Sequence, residues 1–333
     1  MSERSPHEDN SRRTFLQSAA LAGAGLMVPS SGAAADMTAQ STAPRAATAG
    51  ARFRQLLAGP DLVQCPVIYD VATARLSEIM GFPTVFAGGQ PAANGMYGIG
   101  DYGNISITEL IEFARRIADN VDIPIMADGD DGGGNPLNVH RTVKNYEKAG
   151  VGCLMIEDMY GAKYIPGAPP GPLTSKQGFV DKIRAAVDAR KGDLVILARS
   201  DALLAKESFE QGLDRLVAYS EAGADVVFLP VNAMSDSRRI VEATKKPLMW
   251  VAMPGNPDGQ PSVLTASGVK IACYSIQFTM VAHGAVYRGL QDIKQSGTIQ
   301  NYTERALPQK VMAQITRANE ASEIVKKFNA ISR

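Results

Sequence analysis

Ile125-Met126-Ala127-Asp128-Gly129-Asp130-Asp131-Gly132-Gly133-Gly134-Asn135 sets a short apolar run against three clustered carboxylates on a glycine-rich backbone. Acids this close repel one another, so either a cation and hydrogen-bond donors offset the repulsion or one carboxylate protonates. Oxygen donors of this kind suit a hard divalent cation such as Mg2+, with Mn2+ the other candidate. The competing reading of the same residues is a solvated acidic turn.

The pattern recurs. Asp70 follows Val67 to Tyr69, Gly88-Gly89 follow Thr84 to Ala87, Glu157-Asp158 follow Cys153 to Ile156, and Arg199 with Asp201 follow Leu194 to Ala198. Scattered surface charge has no reason to return directly after one apolar run after another. The division of labour is readable: carboxylates for a cation, an arginine to grip a substrate carboxylate with two prongs, and glycine N–H groups for an oxyanion. A structural ion pair with Asp201 or Glu157 is the alternative use of Arg199.

The elements that must hold these residues follow from hydrophobic period. Beyond the five runs named, Val226 to Leu229, Leu248 to Val251 and Lys270 to Tyr274 complete eight strand candidates. Stretches of helical period fill most gaps: Thr73 to Met80, Thr108 to Asn120, Pro136 to Ala149, Gly178 to Ala189, Ser208 to Ala222, Ser235 to Ala243 and Pro261 to Ser267. Thr108 and Ser208 precede acidic or amide residues as helix starts do, and Gly150 and Gly223 stand at helix stops. Eight strands alternating with helices predict an α/β fold, a (β/α)8 TIM-type barrel with extra C-terminal helices from about Gln277, with a doubly wound open sheet as the other architecture. In a barrel, the charged strand ends meet on one rim.

Composition narrows the partners. The 333 residues carry 34 Lys plus Arg against 34 Asp plus Glu, so no net field favours nucleic acid or an anionic membrane, and a small molecule is expected. Residues 1–35 read as a twin-arginine-type signal. Ser11-Arg12-Arg13-Thr14-Phe15-Leu16-Gln17 precedes an apolar stretch from Ser18 to Val28, and Ala33-Ala34-Ala35 offers a cleavage site. Export by the twin-arginine machinery to the periplasm is the expectation, with no stable membrane insertion after cleavage. Residues 36–51, rich in Ala, Thr and Ser, are expected as a disordered linker, leaving one domain over 52–333. Cys65, Cys153 and Cys273 sit far apart in apolar segments, as buried free thiols do, and His140 and His283 fall within helices, away from the chemistry.

From about Arg52 to Asn329 the chain resembles the isocitrate lyase and phosphoenolpyruvate mutase superfamily, in particular its short 2-methylisocitrate lyase-like members. The likeness rests on Tyr69-Asp70-Val71-Ala72-Thr73-Ala74-Arg75, the Ala127 to Asn135 loop, Asn138-Val139-His140-Arg141-Thr142-Val143, Ile156-Glu157-Asp158, Gly161-Ala162-Lys163 and Ala198-Arg199-Ser200-Asp201-Ala202. The resemblance implies that Asp70, Asp128, Asp130 and Glu157 are the Mg2+-site carboxylates, with Asp130 in direct contact and the others acting largely through water. It implies that Arg199 binds the 2-oxo acid carboxylate, with Gly88 and Gly89 as backbone donors; Tyr69 and Asn232 are further candidates for the substrate side. It also implies a homodimer or homotetramer, since related proteins exchange a C-terminal helix. The shared chemistry is making or breaking a pyruvate-like enolate on Mg2+.

The pattern departs in two places. The lyases follow Gly-Ala-Lys with arginine and the catalytic cysteine, whereas this chain reads Gly161-Ala162-Lys163-Tyr164-Ile165, and Ile165 cannot transfer a proton. Four prolines, Pro166, Pro169, Pro170 and Pro172, stiffen the rest of that loop, and Lys163 and Tyr164 are the remaining proton carriers there. Where the lyases carry Pro-Glu after the sixth strand, this chain has Pro230-Val231-Asn232. Decarboxylation of a 2-oxo dicarboxylate such as oxaloacetate asks least of such a site. Cleavage of 2-methylisocitrate or 2,3-dimethylmalate, phosphonate rearrangement, and non-catalytic 2-oxo acid binding are the alternatives.

Overall fold

Alternating apolar residues become strands whose two faces are both buried. The computed structural model describes residues 47–163, 165–253, 256–275, 277–298 and 306–328. The strands are β1 (Val63–Ile68), β2 (Val85–Ala87), β3 (Ile125–Asp128), β4 (Cys153–Glu157), β5 (Val195–Arg199), β6 (Val226–Phe228), β7 (Leu248–Ala252) and β8 (Val269–Tyr274). All pair in parallel, and β8 pairs with β1, so the sheet closes into an eight-stranded barrel. The open-sheet alternative is thereby excluded.

Around the barrel lie α1 (Ala49–Ala58), α2 (Val71–Ile79), the short α3 (Gly89–Ala92), α4 (Ile107–Ala118), α5 (Pro136–Lys148), α6 (Lys176–Ala189), α7 (Phe209–Glu221), α8 (Met234–Thr244) and α9 (Pro261–Ala266). After β8 come α10 (Gln277–Ser296), α11 (Gln309–Ile315) and α12 (Ala318–Phe328), the expected C-terminal helices. The helix starts are chemically marked. Ser106, Asn135 and Ser208 each close a reciprocal capping box, satisfying N–H groups that a helix cannot pair itself.

Period 2 divides the core. One set of strand residues, including Leu154, Ile156, Ile196, Ala198 and Trp250, packs outward against the helices. The alternate set, including Met126, Met155, Leu197, Phe228, Met249 and Cys273, fills the barrel. All three cysteines are buried and free, as their apolar setting implies.

The chain divides into two units, Met1–Arg45 and Ala46–Arg333. The predicted signal at 1–35 and most of the predicted linker lie outside the described residues, as does Tyr164. The end of that linker is corrected: Thr48 caps α1 and residues 49–51 are helical. Gly50 makes this possible. A Cβ there would stand 2.4 Å from the Asp193 carbonyl carbon, so only glycine lets α1 approach, and Phe53 then packs fully buried against the barrel interior. Among the described residues, no helix is long and apolar enough to cross a membrane.

Candidate functional site

The inward-facing alternation carries the charged residues to the barrel mouth. Continuing from Met126, Met155 and Leu197, the next inward positions on β3, β4 and β5 are Asp128, Glu157 and Arg199. Glu157 and Arg199 are paired in register, and Phe228 of β6 stands next to Arg199 at the same level. Arg199 Nη1 lies 3.2 Å from Glu157 Oε2, its Nε donates to Asp201 Oδ1 at 2.8 Å, and its guanidinium carbon sits 5.4 Å from the Phe228 ring centroid. These pairs fix the guanidinium in one orientation, so the ion pair considered as an alternative exists and also aims the group.

The acidic loop is held just as closely. Gly129 donates to the Met155 carbonyl at 2.9 Å, and a Cβ at Gly129 would meet both that oxygen and Leu154 Cδ1 at 2.9 Å. Glycine is required at that crossing. Asp130 follows with φ +45°, a left-handed conformation that Asp tolerates better than most residues. Asp128 Oδ2 accepts from the Gly89 amide at 2.9 Å and its Oδ1 from the Asp130 amide at 3.2 Å. Asp131 turns away to the buried Lys182, whose Nζ also donates to the Asp131 carbonyl at 2.9 Å.

Lys163 reaches in from the loop after β4. Its buried Nζ is 2.5 Å from Asp130 Oδ1 and 2.7 Å from Glu157 Oε1. Burial pushes Asp130 up to about 7; Lys163 pulls it down, while Asp128 and Glu157 add to the rise. Burial also acts to raise Glu157, but Arg199 and Lys163 outweigh it and hold that carboxyl below its ordinary value. Lys163 is itself opposed by burial, yet Glu157 and Asp130 hold it well above the usual lysine value, so it stays an ammonium.

A cavity of about 410 Å3 opens over this layer. Gly88, Gly89, Asp128, Arg199 and Asn232, all candidates from the sequence, line it. Asp130 and Lys163 instead line an adjoining cavity of about 230 Å3, and Glu157 lies fully buried beneath. Three expectations change. Asp70 does not line either cavity: its Oδ1 accepts from the Thr73 amide at 2.6 Å, capping α2. Tyr69 does not line them either, its Cβ lying beneath Gly95. The Gly89 amide is occupied by Asp128, so it is a positioning contact rather than an open donor. Tyr146 secures the same strand end through a 2.5 Å hydrogen bond to the Asp128 carbonyl. The histidines stand apart, His140 on α5 facing Asp188 at 3.5 Å and His283 on α10.

The residue that strand-end logic missed is Asp101. It lies between Gly100 and Tyr102 in an irregular stretch and lines the main cavity. Its carboxylate has no hydrogen-bond or ion-pair partner among the described residues. Burial raises its pKa; Lys163 opposes the rise, and Asp128 and Glu157 reinforce it. A backbone bond from Lys163 N to the Tyr102 carbonyl, 3.2 Å, ties this stretch to the lysine loop.

The donor set fits a hard divalent cation in one manner only. Among the described residues, no three His, Cys, Asp or Glu side chains converge closely enough to hold an ion directly. The unpartnered Asp101, together with Asp128 and Asp130, does suit an ion that keeps several waters and touches one or two carboxylates, as Mg2+ commonly does.

Comparison with known proteins adds to this geometry. The family model described as phosphoenolpyruvate phosphomutase matches residues 53–294. An oxaloacetate decarboxylase of Rhodopseudomonas palustris (strain HaA2) is 33% identical over 286 residues, 84% of this chain and 96% of the relative. The crystal structure of phosphoenolpyruvate phosphomutase from Streptomyces platensis subsp. rosaceus superposes with a TM-score of 0.78 at 28% identity, covering 84% of this chain and 99% of that one. A phosphonopyruvate hydrolase structure in complex with oxalate and Mg2+ gives 0.74 at 29% identity, covering 84% and 98%.

Proposed function

The chain belongs to the phosphoenolpyruvate phosphomutase family and is a lyase-class enzyme of the isocitrate lyase and phosphoenolpyruvate mutase superfamily; we propose that it is an Mg2+-dependent carbon–carbon lyase of a small 2-oxo acid, working in the manner of an oxaloacetate decarboxylase. The observation that carries this reading is the inward layer of Asp128, Glu157 and Arg199, with Asp101 and Asp130 beside it and aliphatic Ile165 on the loop that follows Lys163. Support comes also from the decarboxylase relative and from the Mg2+ and oxalate bound in the hydrolase structure.

Arg199 binds the substrate's C1 carboxylate, in an orientation fixed by Glu157 and Asp201. Asp101, Asp128 and Asp130 are the residues that would hold Mg2+, and the ion when bound would supply Lewis acidity to the substrate's oxygens. Gly89 N–H keeps Asp128 in place. The bond between C3 and the C4 carboxylate breaks; its electron pair passes into the C2–C3 enolate, and CO2 leaves. A proton is then added at C3. Ile165, 39% exposed and absent from the cavity lining, offers no acid or base, and solvent meets that need. Lys163, held as an ammonium, steadies Asp130 and Glu157.

Residues 11–17 read as an export address, and we place the reaction in the periplasm on that ground. The test of function is pyruvate release from oxaloacetate with Mg2+, measured against a metal-only blank. The wild type should exceed the blank and Asp130→Ala should not; equal rates in wild type and blank, or full activity in Asp130→Ala, reject the reading.

A further inference from the structure

The barrel mouth is chemically divided. On β3 to β5 the inward residues end in Asp128, Glu157 and Arg199, whereas on β6 to β8 the same alternation gives Phe228, Met249, Val251 and Cys273. Above them, Val231 and Met253 extend the apolar wall, and the polar groups there, Asn232 and Ser275, are neutral. Arg199 is the one lysine or arginine among the described residues lining the cavity, and it is placed on the acidic side. Lys163 faces the adjoining cavity.

This matters because an ionised group taken into an apolar wall without a cation is strongly disfavoured. A ligand gripped at its 2-oxo acid end by Arg199 finds no second positive charge across the cavity to meet a charged group carried at C3. At about 410 Å3 the cavity falls in the range of about 300–1,000 Å3 typical of sites for drug-sized ligands, more room than a four-carbon diacid needs.

We propose that the substrate is an oxaloacetate carrying an alkyl or aryl group at C3, and that Phe228, Val231, Met249, Val251 and Met253 receive that group. The inference rests on the reading of Arg199 as the holder of the 2-oxo acid end. The bond changes are those of the unsubstituted reaction: the C3–C4 bond breaks, CO2 leaves, and the proton is added at the substituted C3. Methionine suits such a wall, since its unbranched thioether adapts to ligands of differing shape.

Trp250 is the chain's single tryptophan, and its Nε1 donates to the Val231 carbonyl at 3.1 Å, so its fluorescence reports on this wall. The test titrates the full chain with unreactive 2-oxo acids in Mg2+, by calorimetry and by Trp250 fluorescence. From pyruvate through 2-oxobutyrate and 2-oxopentanoate to 2-oxohexanoate, affinity should rise about fourfold per methylene, corresponding to about 0.8 kcal/mol each. 5-Methyl-2-oxohexanoate should bind more than about tenfold tighter than its charged isostere 2-oxoglutarate. Met253→Lys, at a position 51% exposed, should reverse that preference. Mg2+-dependent pyruvate binding with no gain along the series, or tighter binding of 2-oxoglutarate, overturns this inference and leaves the cation reading standing. No Mg2+-dependent binding of pyruvate at all overturns both.

Discussion

Replacing Lys163 with methionine removes the ammonium that bridges Asp130 and Glu157 while keeping most of the side-chain volume. The bridged oxygens, at 2.5 and 2.7 Å from Nζ, can be no more than about 5 Å apart. At an effective dielectric of about 20, two such charges repel by about 3 kcal/mol. In the metal-free protein at pH 8 the variant should therefore be less stable by at most about 3 kcal/mol, protonation of Asp130 relieving part of the repulsion. With a urea slope of about 3 kcal/mol per molar, the unfolding midpoint falls by at most about 1 M. The sign of the pH dependence follows from Asp130, whose carboxyl stands at about 7 with Lys163 still beside it. Without the lysine its folded-state pKa rises further above the unfolded value. A raised acid pKa contributes stability that is complete below the unfolded value and is lost as pH rises through the folded one. The variant's deficit should thus be smaller at pH 5 than at pH 8, and Mg2+ should reduce it at pH 8 by restoring positive charge. Urea titrations at both pH values, with and without Mg2+, test this. An unchanged midpoint at pH 8, or a deficit indifferent to both pH and Mg2+, refutes the account of Lys163.

Tyr219→Phe removes the 2.8 Å hydrogen bond to the fully buried Asp158, which also accepts from Ser200 Oγ and the Asp201 amide. Stability should fall by about 1.5–3 kcal/mol, and a midpoint equal to wild type would remove this network from the account. Gly50→Ala forces a Cβ against the Asp193 backbone and should cost about 1–3 kcal/mol by thermal or urea unfolding; a neutral substitution contradicts the close approach of α1. Burial pushes Asp201 up to about 7, Arg199 opposing the rise and Glu157 adding to it. Its contribution, complete below the unfolded carboxyl value, should disappear as pH rises through about 7, and Asp201→Asn should flatten the metal-free stability profile between pH 6 and 8; an unchanged slope refutes that assignment.

The barrel was legible because alternation and strand-end charge are local signals. Asp128, Glu157 and Arg199 could be placed on one rim because each directly follows a short apolar run. The same logic misplaced Asp70, because an aspartate directly after a strand is also the preferred cap of the helix that comes next, and the Thr73 contact shows that use. Asp101 carried no local signal. It belongs to no strand or helix, and its place at the cavity depends on the pairing of its loop with the lysine loop, a contact across about sixty residues of chain. The start of α1 was hidden by small residues whose helical state depends on packing against the Asp193 backbone rather than on their own period. The Gly88-Gly89 pair suggested two open donors, but a glycine amide beside a carboxylate is as readily occupied by it, as Gly89 is by Asp128.

Calorimetric titration of pyruvate into the full chain, in Mg2+ and then in chelator, asks whether Asp101, Asp128, Asp130 and Arg199 form one site for a divalent cation and a 2-oxo acid. Binding should be saturable in Mg2+ and lost in chelator, and lost in both Asp130→Ala and Arg199→Met. Pyruvate binding of equal strength in Mg2+ and chelator, or undiminished binding in Asp130→Ala, would contradict a shared site.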